Sequence, residues 1–116
     1  MGIANKLNSG KSRRTLPEDF NLDNIQYVKA KEIAFEGGKP IVIRGFIIKK
    51  GDYGKSVTLY TNTLGINIPA RYVEMFENMD DEEVEDILDG KLGISAIHAN
   101  VKTKQGVTVG LDFVDL

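Results

Sequence analysis

Between Lys39 and Asn62 the chain interleaves positive charge with aromatic rings. Lys39, Arg44, Lys49, Lys50 and Lys55 face the single acid Asp52, and Phe46, Tyr53 and Tyr60 lie among them. Cations spaced along a strand neutralise a phosphate backbone, and rings between them offer surfaces on which unpaired bases stack. Such stacking contributes roughly 1–3 kcal/mol per base and tolerates any sequence, because every base has a π-face. Lys102 and Lys104 add two cations in a second loop. Other chemistries find fewer parts. The chain has no cysteine, which removes disulfides, thiolate metal sites and cysteine nucleophiles. His98 is the only histidine, so a transition-metal site or a base–nucleophile pair lacks a second member. Gly10-Lys11-Ser12 looks like the end of a phosphate-binding loop, but Asn5 stands where that motif needs its first glycine. The acidic run at 80–89 lacks the alternating ligand positions and central glycine of a calcium loop. Asp52, Asp112 and Asp115 sit in no recognisable hydrolytic setting. The expectation is a binding protein without catalysis or cofactor.

These residues need strands to carry them. Residues 41–50 are β-branched and read as a strand, with Gly45 marking a bulge or sharp bend inside it. Alternation puts Arg44, Phe46 and Lys50 on one face. If the bulge flips that alternation, Phe46 belongs to the core instead. Ser56–Thr61 alternates cleanly, with Val57 and Leu59 on one side and Ser56, Thr58 and Tyr60 on the other. The favoured arrangement sets Thr58 and Tyr60 beside Arg44, Phe46 and Lys50, with Lys49, Tyr53 and Lys55 around the connecting turn. Ordinary cross-strand packing is the competing role for Tyr60, and edge protection is the competing role for the strand-end lysines. A third strand covers 64–68, a helix 70–78 and a second helix 80–89, where Asp80 and Glu83 form a capping-box pattern and Gly90 ends the helix. Strands at 94–101 and 107–114 form a hairpin across 102–106. Gly37-Gly38-Lys39-Pro40 reads as a turn, and residues 26–36 fit a strand or a short helix equally well.

Strand, strand, strand, helix, strand, strand is the order of a five-stranded Greek-key barrel of the OB-fold type, with its helical segment between strands three and four. In that fold the loop after the first strand and the loop joining the last two flank the binding face. Lys49, Lys50, Tyr53 and Lys55 occupy the first loop and its borders, and Lys102 and Lys104 the second. At 116 residues the chain has room for one domain. Residues 25–116 are assigned to it, and residues 1–24 to a basic flexible arm. Met1–Leu16 is polar and basic without the apolar segment of a signal peptide, and no stretch is long and apolar enough for a membrane helix.

A formal net charge of −2 speaks against a nucleic-acid partner until it is divided. Nine acids and no base lie between Glu74 and Asp89, so the rest of the chain holds 15 bases against eight acids. The body is basic and one segment is acidic.

The segments Lys49–Thr61, Ile66–Tyr72 and Asp81–Lys91 resemble small single-stranded-DNA-binding proteins of bacteriophages, most closely those of phages of lactic-acid bacteria. The resemblance runs from about Tyr27 to Leu116. It implies an OB fold, coating of single-stranded DNA in phage replication or recombination, and location in the cytoplasm of the infected host. It also implies self-association as a homodimer or higher homo-oligomer, and contacts with phage replication or recombination proteins. Tyr53, Lys55, Tyr60 and the flanking bases become candidate DNA contacts. Many bacterial relatives in function end in a flexible tail with an acidic tip. Here Asp112–Leu116 reads as strand, which weakens that recruitment route. The rival expectation is a non-enzymatic interaction module of the same fold that works through the acidic helix at 80–89.

Overall fold

In the computed structural model, residues 12–52, 54–104 and 106–116 are described. The fold is mainly β, with eight strands among the described residues arranged in two sheets. The first sheet orders β1 (Ser12–Thr15), β4 (Gly45–Gly51), β5 (Gly54–Tyr60), β6 (Leu64–Ile68) and β2 (Gln26–Lys29) as β1-β4-β5-β6-β2. The second places β7 (Leu92–Thr103) between β3 (Phe35–Ile43) and β8 (Gly106–Asp115). All pairs are antiparallel except β2 with β6, which is parallel. Among the described residues no helix is long and apolar enough to cross a membrane.

β3 and β4 are two halves of one long bent strand. The first half pairs with β7 and the second with β5. At the bend Arg44 donates its N–H to the Tyr60 carbonyl at 2.7 Å, while Gly45 is the ladder partner of the same Tyr60. Two residues therefore oppose one, which is a bulge, and the alternation flips across it. Ile43 faces the core before the bulge, and Phe46 and Ile48 face it afterwards. A β-carbon on Gly45 would collide with the Thr15 carbonyl oxygen, so the position takes glycine because another backbone crosses it closely.

Three local expectations need correction. The Gly37-Gly38-Lys39-Pro40 turn is a bulge inside β3, where the register jumps from Glu36↔Ala96 to Ile41↔Ile94. Gly37 and Gly38 take φ of 77° and 91° there, a conformation costly for other residues. Residues 26–36 divide into β2, a 3-10 turn at Ala30–Ile33 and the start of β3, rather than forming one element. Of the expected arm, residues 12–24 belong to the folded body: β1 pairs with β4, and Asn21 caps a 3-10 turn at Leu22–Asn24. Residues 1–11 lie outside the described residues.

After β6, a 3-10 turn at Ala70–Tyr72 leads into α1 (Val73–Glu77), and α2 (Asp81–Leu88) follows. Both sides of the expected capping box form: Glu83 N–H donates to Asp80 Oδ1 at 2.8 Å, and Asp80 N–H donates to Glu83 Oε1 at 3.1 Å. The core lies between the two sheets and the helices. Phe46 packs on Phe76 with ring centres 5.0 Å apart, and Phe76 continues to Phe113 at 6.2 Å. Each such ring contributes roughly 1.5–3 kcal/mol by leaving water. Between β6 and β8, where a ladder would close a barrel, none forms among the described residues. Two side chains bridge the gap. Arg71 Nη2 donates to the Val109 carbonyl at 2.6 Å, and Leu111 N–H donates to the Tyr72 hydroxyl at 3.0 Å. Backbone groups on the β8 edge are thereby satisfied without a strand partner.

Candidate nucleic-acid interface

Residues directly opposite one another in a ladder share a face, so the register of the five-stranded sheet sorts its side chains into two sets. The inner set contains Phe46, Leu59, Ile66 and Val28 in one row and Ile48, Val57 and Ile68 in the next. Lys50 and Lys55 are paired at the end of that same face. The outer set has three rows. Lys49 stands opposite Ser56; Ile47, Thr58, Asn67 and Lys29 follow across four strands; Gly45, Tyr60, Gly65 and Tyr27 form the last.

This sorting divides the residues proposed from the sequence. Phe46 is fully buried in the core and offers no stacking surface; the bulge at Arg44–Gly45 is the cause. Tyr60 is on the outer face, as its alternation requires, but only 1% of it is exposed. Its ring meets Phe20 and Tyr27 edge-on, with centres 5.9 and 6.1 Å away. Its hydroxyl lies 3.2 Å from that of Tyr27. Lys49 is exposed on the outer face. Lys50 is exposed but belongs to the opposite set, and Lys55 is committed to Glu77 of α1 at 2.5 Å. Arg44, half-buried at the bulge, belongs to neither row. A β-carbon on Gly90 would lie 2.9 Å from its Nη1, so the guanidinium rests over the end of α2. Lys102 and Lys104 are exposed on the β7–β8 hairpin. Tyr53 lies outside the described residues.

Three outer-face residues escaped the sequence reading: Tyr27, Lys29 and Asn67. Tyr27 is 54% exposed and is the one large aromatic on this face that solvent reaches among the described residues. Its ring lies across Gly65, whose missing β-carbon would sit 2.7 Å from two ring carbons. Lys29 is exposed in the neighbouring row. Thr58 donates its hydroxyl to Asn67 Oδ1 at 2.7 Å and so orients that amide. The alternation of Tyr27 and Lys29 around Val28 was the available signal, but it sat in the segment that suited strand and helix equally.

Apart from the buried Ile47, the described side chains of β2, β4, β5 and β6 on the outer face are polar, basic or aromatic, and none is acidic. β6 leaves this face at Pro69, where an open cleft of about 540 Å³ lies between Pro69–Arg71 and the β7–β8 hairpin. Arg71, Lys104 and Val107 line it. The cleft thus sets cations and apolar surface between the end of β6 and the hairpin that carries Lys102. Comparison of the chain with protein-family models, with curated proteins and with solved structures gives no match.

His98 is the other polar constellation. It sits on the three-stranded sheet, with Nε2 2.9 Å from Asp112 Oδ2 and Nδ1 3.5 Å from Glu36 Oε1. The hydrogen bond to Asp112 raises its pKa above the ordinary 6.5 against an opposing desolvation, and the Asp112 charge and the Glu36 contact add to the rise. When protonated, the imidazole between these two carboxylates forms a cross-strand ion cluster. No nucleophile is among these contacts. Among the described residues no group of three or more His, Cys, Asp or Glu is placed to hold a metal ion.

Proposed function

We propose that this protein binds single-stranded DNA across the outer face of the five-stranded sheet and into the cleft beside the β7–β8 hairpin. The observation that carries this reading is the composition of that face. An exposed ring at Tyr27 shares the face with Lys29, Lys49, Ser56, Thr58 and Asn67, and the strands contribute no described acid. Lysines neutralise the backbone, hydroxyl and amide groups hydrogen-bond to phosphates and base edges, and the ring stacks a base. A duplex keeps its bases stacked inside and has less use for a lone exposed ring.

The topology supports an OB fold as the finer assignment. The bent strand β3–β4, the strands β5 and β6, the helices, and the hairpin β7–β8 follow the OB order. β1 and β2 are additions to that frame, and the Arg71–Tyr72 bridge stands where the closing ladder would run. The resemblance to phage single-stranded-DNA-binding proteins supplies the setting: coating of exposed strands in replication or recombination within the infected host, with homo-oligomers extending the DNA path.

Fluorescence anisotropy with a labelled oligothymidylate at low salt tests the proposal. Binding that weakens steeply with added salt is expected, because neutralised phosphates release counterions. Absence of a complex at low salt refutes it. The interaction-module alternative uses α2, whose Asp81, Glu82, Glu83, Glu85 and Asp86 are exposed. It is favoured if Glu82→Lys with Glu83→Lys abolishes function while Lys29→Glu with Lys49→Glu does not.

A further inference from the structure

Residues 16–25 cross the outer face at the Gly45–Tyr60–Gly65 row. Leu16 lies against Gly45, with its Cδ2 2.8 Å from where a β-carbon would be, and Ile25 Cγ2 is 3.2 Å from the equivalent point on Gly65. Between them the Phe20 ring covers Tyr60. The two glycines are the ladder partners on either side of Tyr60, so the sheet is thinned where this segment crosses.

The segment also carries charge of the wrong sign for a neutral cover. Glu18, Asp19 and Asp23 are exposed, and no base lies between Thr15 and Lys29. Asp19 shares a cleft of about 270 Å³ with Arg44, Asn24 and Asn62. Among the described residues the backbone hydrogen bonds within the segment are Phe20 N–H to the Pro17 carbonyl at 3.0 Å, Ile25 N–H to the Leu22 carbonyl at 3.3 Å, and Asp23 N–H to Asn21 Oδ1 at 2.9 Å. Leu16, Phe20 and Ile25 pack it onto the sheet.

We propose that Leu16–Ile25 is a displaceable acidic occupant of the nucleic-acid face, and that the row beneath it is a second base-stacking position built around Tyr60. The ligand class is an unpaired nucleobase with its phosphate. A phosphodiester strand advancing along the outer face meets three like charges at this row, and repulsion lifts the segment as the strand takes its place. The site then gains a second ring beside Tyr27 on the same row. The cover costs affinity for short strands and withdraws Tyr60 from solvent when no strand is bound. This inference rests on the proposed binding of single-stranded DNA.

The test pairs a charge-neutralised variant with wild-type protein. In Glu18→Gln/Asp19→Asn/Asp23→Asn, labelled oligothymidylate is expected to bind about three- to tenfold tighter at low salt, and the gain shrinks as salt screens the charges. Hydrogen exchange on the wild-type complex is expected to show faster exchange at Phe20, Asp23 and Ile25. Equal affinity of the two proteins overturns the proposal, and so does slowed exchange at those three amides, which means that the strand lies over the segment. Binding by the variant alone supports it in its strongest form. If neither protein binds, the proposed function itself falls, a result distinct from equal binding.

Discussion

Replacing Tyr27 by alanine removes the exposed ring on the outer face and leaves every charge in place. Two costs can be worked out and separated. Tyr27 is 54% exposed, so folding stability loses about half of the roughly 1.5–3 kcal/mol of a fully buried ring. The hydroxyl contact with Tyr60, 3.2 Å long, adds roughly 0.5–1.5 kcal/mol. A melting experiment therefore records a moderate drop, and the variant stays folded at room temperature. The binding cost is the lost stack, roughly 1–3 kcal/mol, or about 5- to 150-fold in Kd. Tyr27→Phe keeps the ring and binds like wild type. Anisotropy with labelled oligothymidylate at one fixed salt concentration reads the loss. A second series across salt gives an unchanged slope, since no cation was removed. A folded Tyr27→Ala protein that binds within about twofold of wild type refutes stacking on this face. A changed salt slope refutes the division of labour between ring and lysines.

Lys29→Gln and Lys49→Gln each lower the salt slope by about 0.7 if each lysine neutralises one phosphate of a single strand, and the double variant lowers it by about 1.4, read from titrations across salt. Phe46→Ala loses about 3–5 kcal/mol of unfolding free energy in a denaturant titration, because the ring is fully buried against Phe76. His98, raised above 6.5 by Asp112 and Glu36, stabilises the fold most below about pH 6.5, and the contribution disappears as pH rises through the raised value. Melting temperature followed from pH 5 to pH 8 shows that decline, and His98→Gln flattens it.

What the sequence made legible depended on whether local pattern and tertiary pairing agreed. The α2 cap was readable because Asp80 and Glu83 act within one turn of each other. The β5 alternation was readable because nothing interrupts it between Ser56 and Tyr60. Phe46 turned on a single bulge: one extra residue at Arg44 reverses the facing of everything after it, and local composition left both facings open. Tyr60 was placed on the correct face, yet its cover comes from Phe20, 40 positions earlier in the chain. β1 was missed because a four-residue basic stretch gains its strand geometry only from pairing with β4. Tyr27 became a surface aromatic through a parallel pairing with β6 across nearly 40 residues. Register, more than element type, separated the expected grouping of residues from the one on the candidate face.

The same register accounts for the charge. A total of −2 would oppose DNA if the charges mixed, but the fold keeps them apart. Ile87 anchors α2 in the core cluster, on the inner side of the five-stranded sheet. The acids of α2 therefore sit behind that sheet, while Lys29 and Lys49 stand in front of it. A packed layer is about 10 Å thick, and screening at physiological salt acts over about 8 Å. A strand on the outer face is thus exposed to the lysines far more than to the helix. Lys55 lies on the inner face, and Glu77 neutralises it there instead of leaving it for a ligand. Glu18, Asp19 and Asp23 are carried across the front by a segment whose Leu16, Phe20 and Ile25 pack on the sheet. That asymmetry is why the proposed control over a strand's access to Tyr60 falls to the segment at 16–25, and not to the far larger acidic charge of α2.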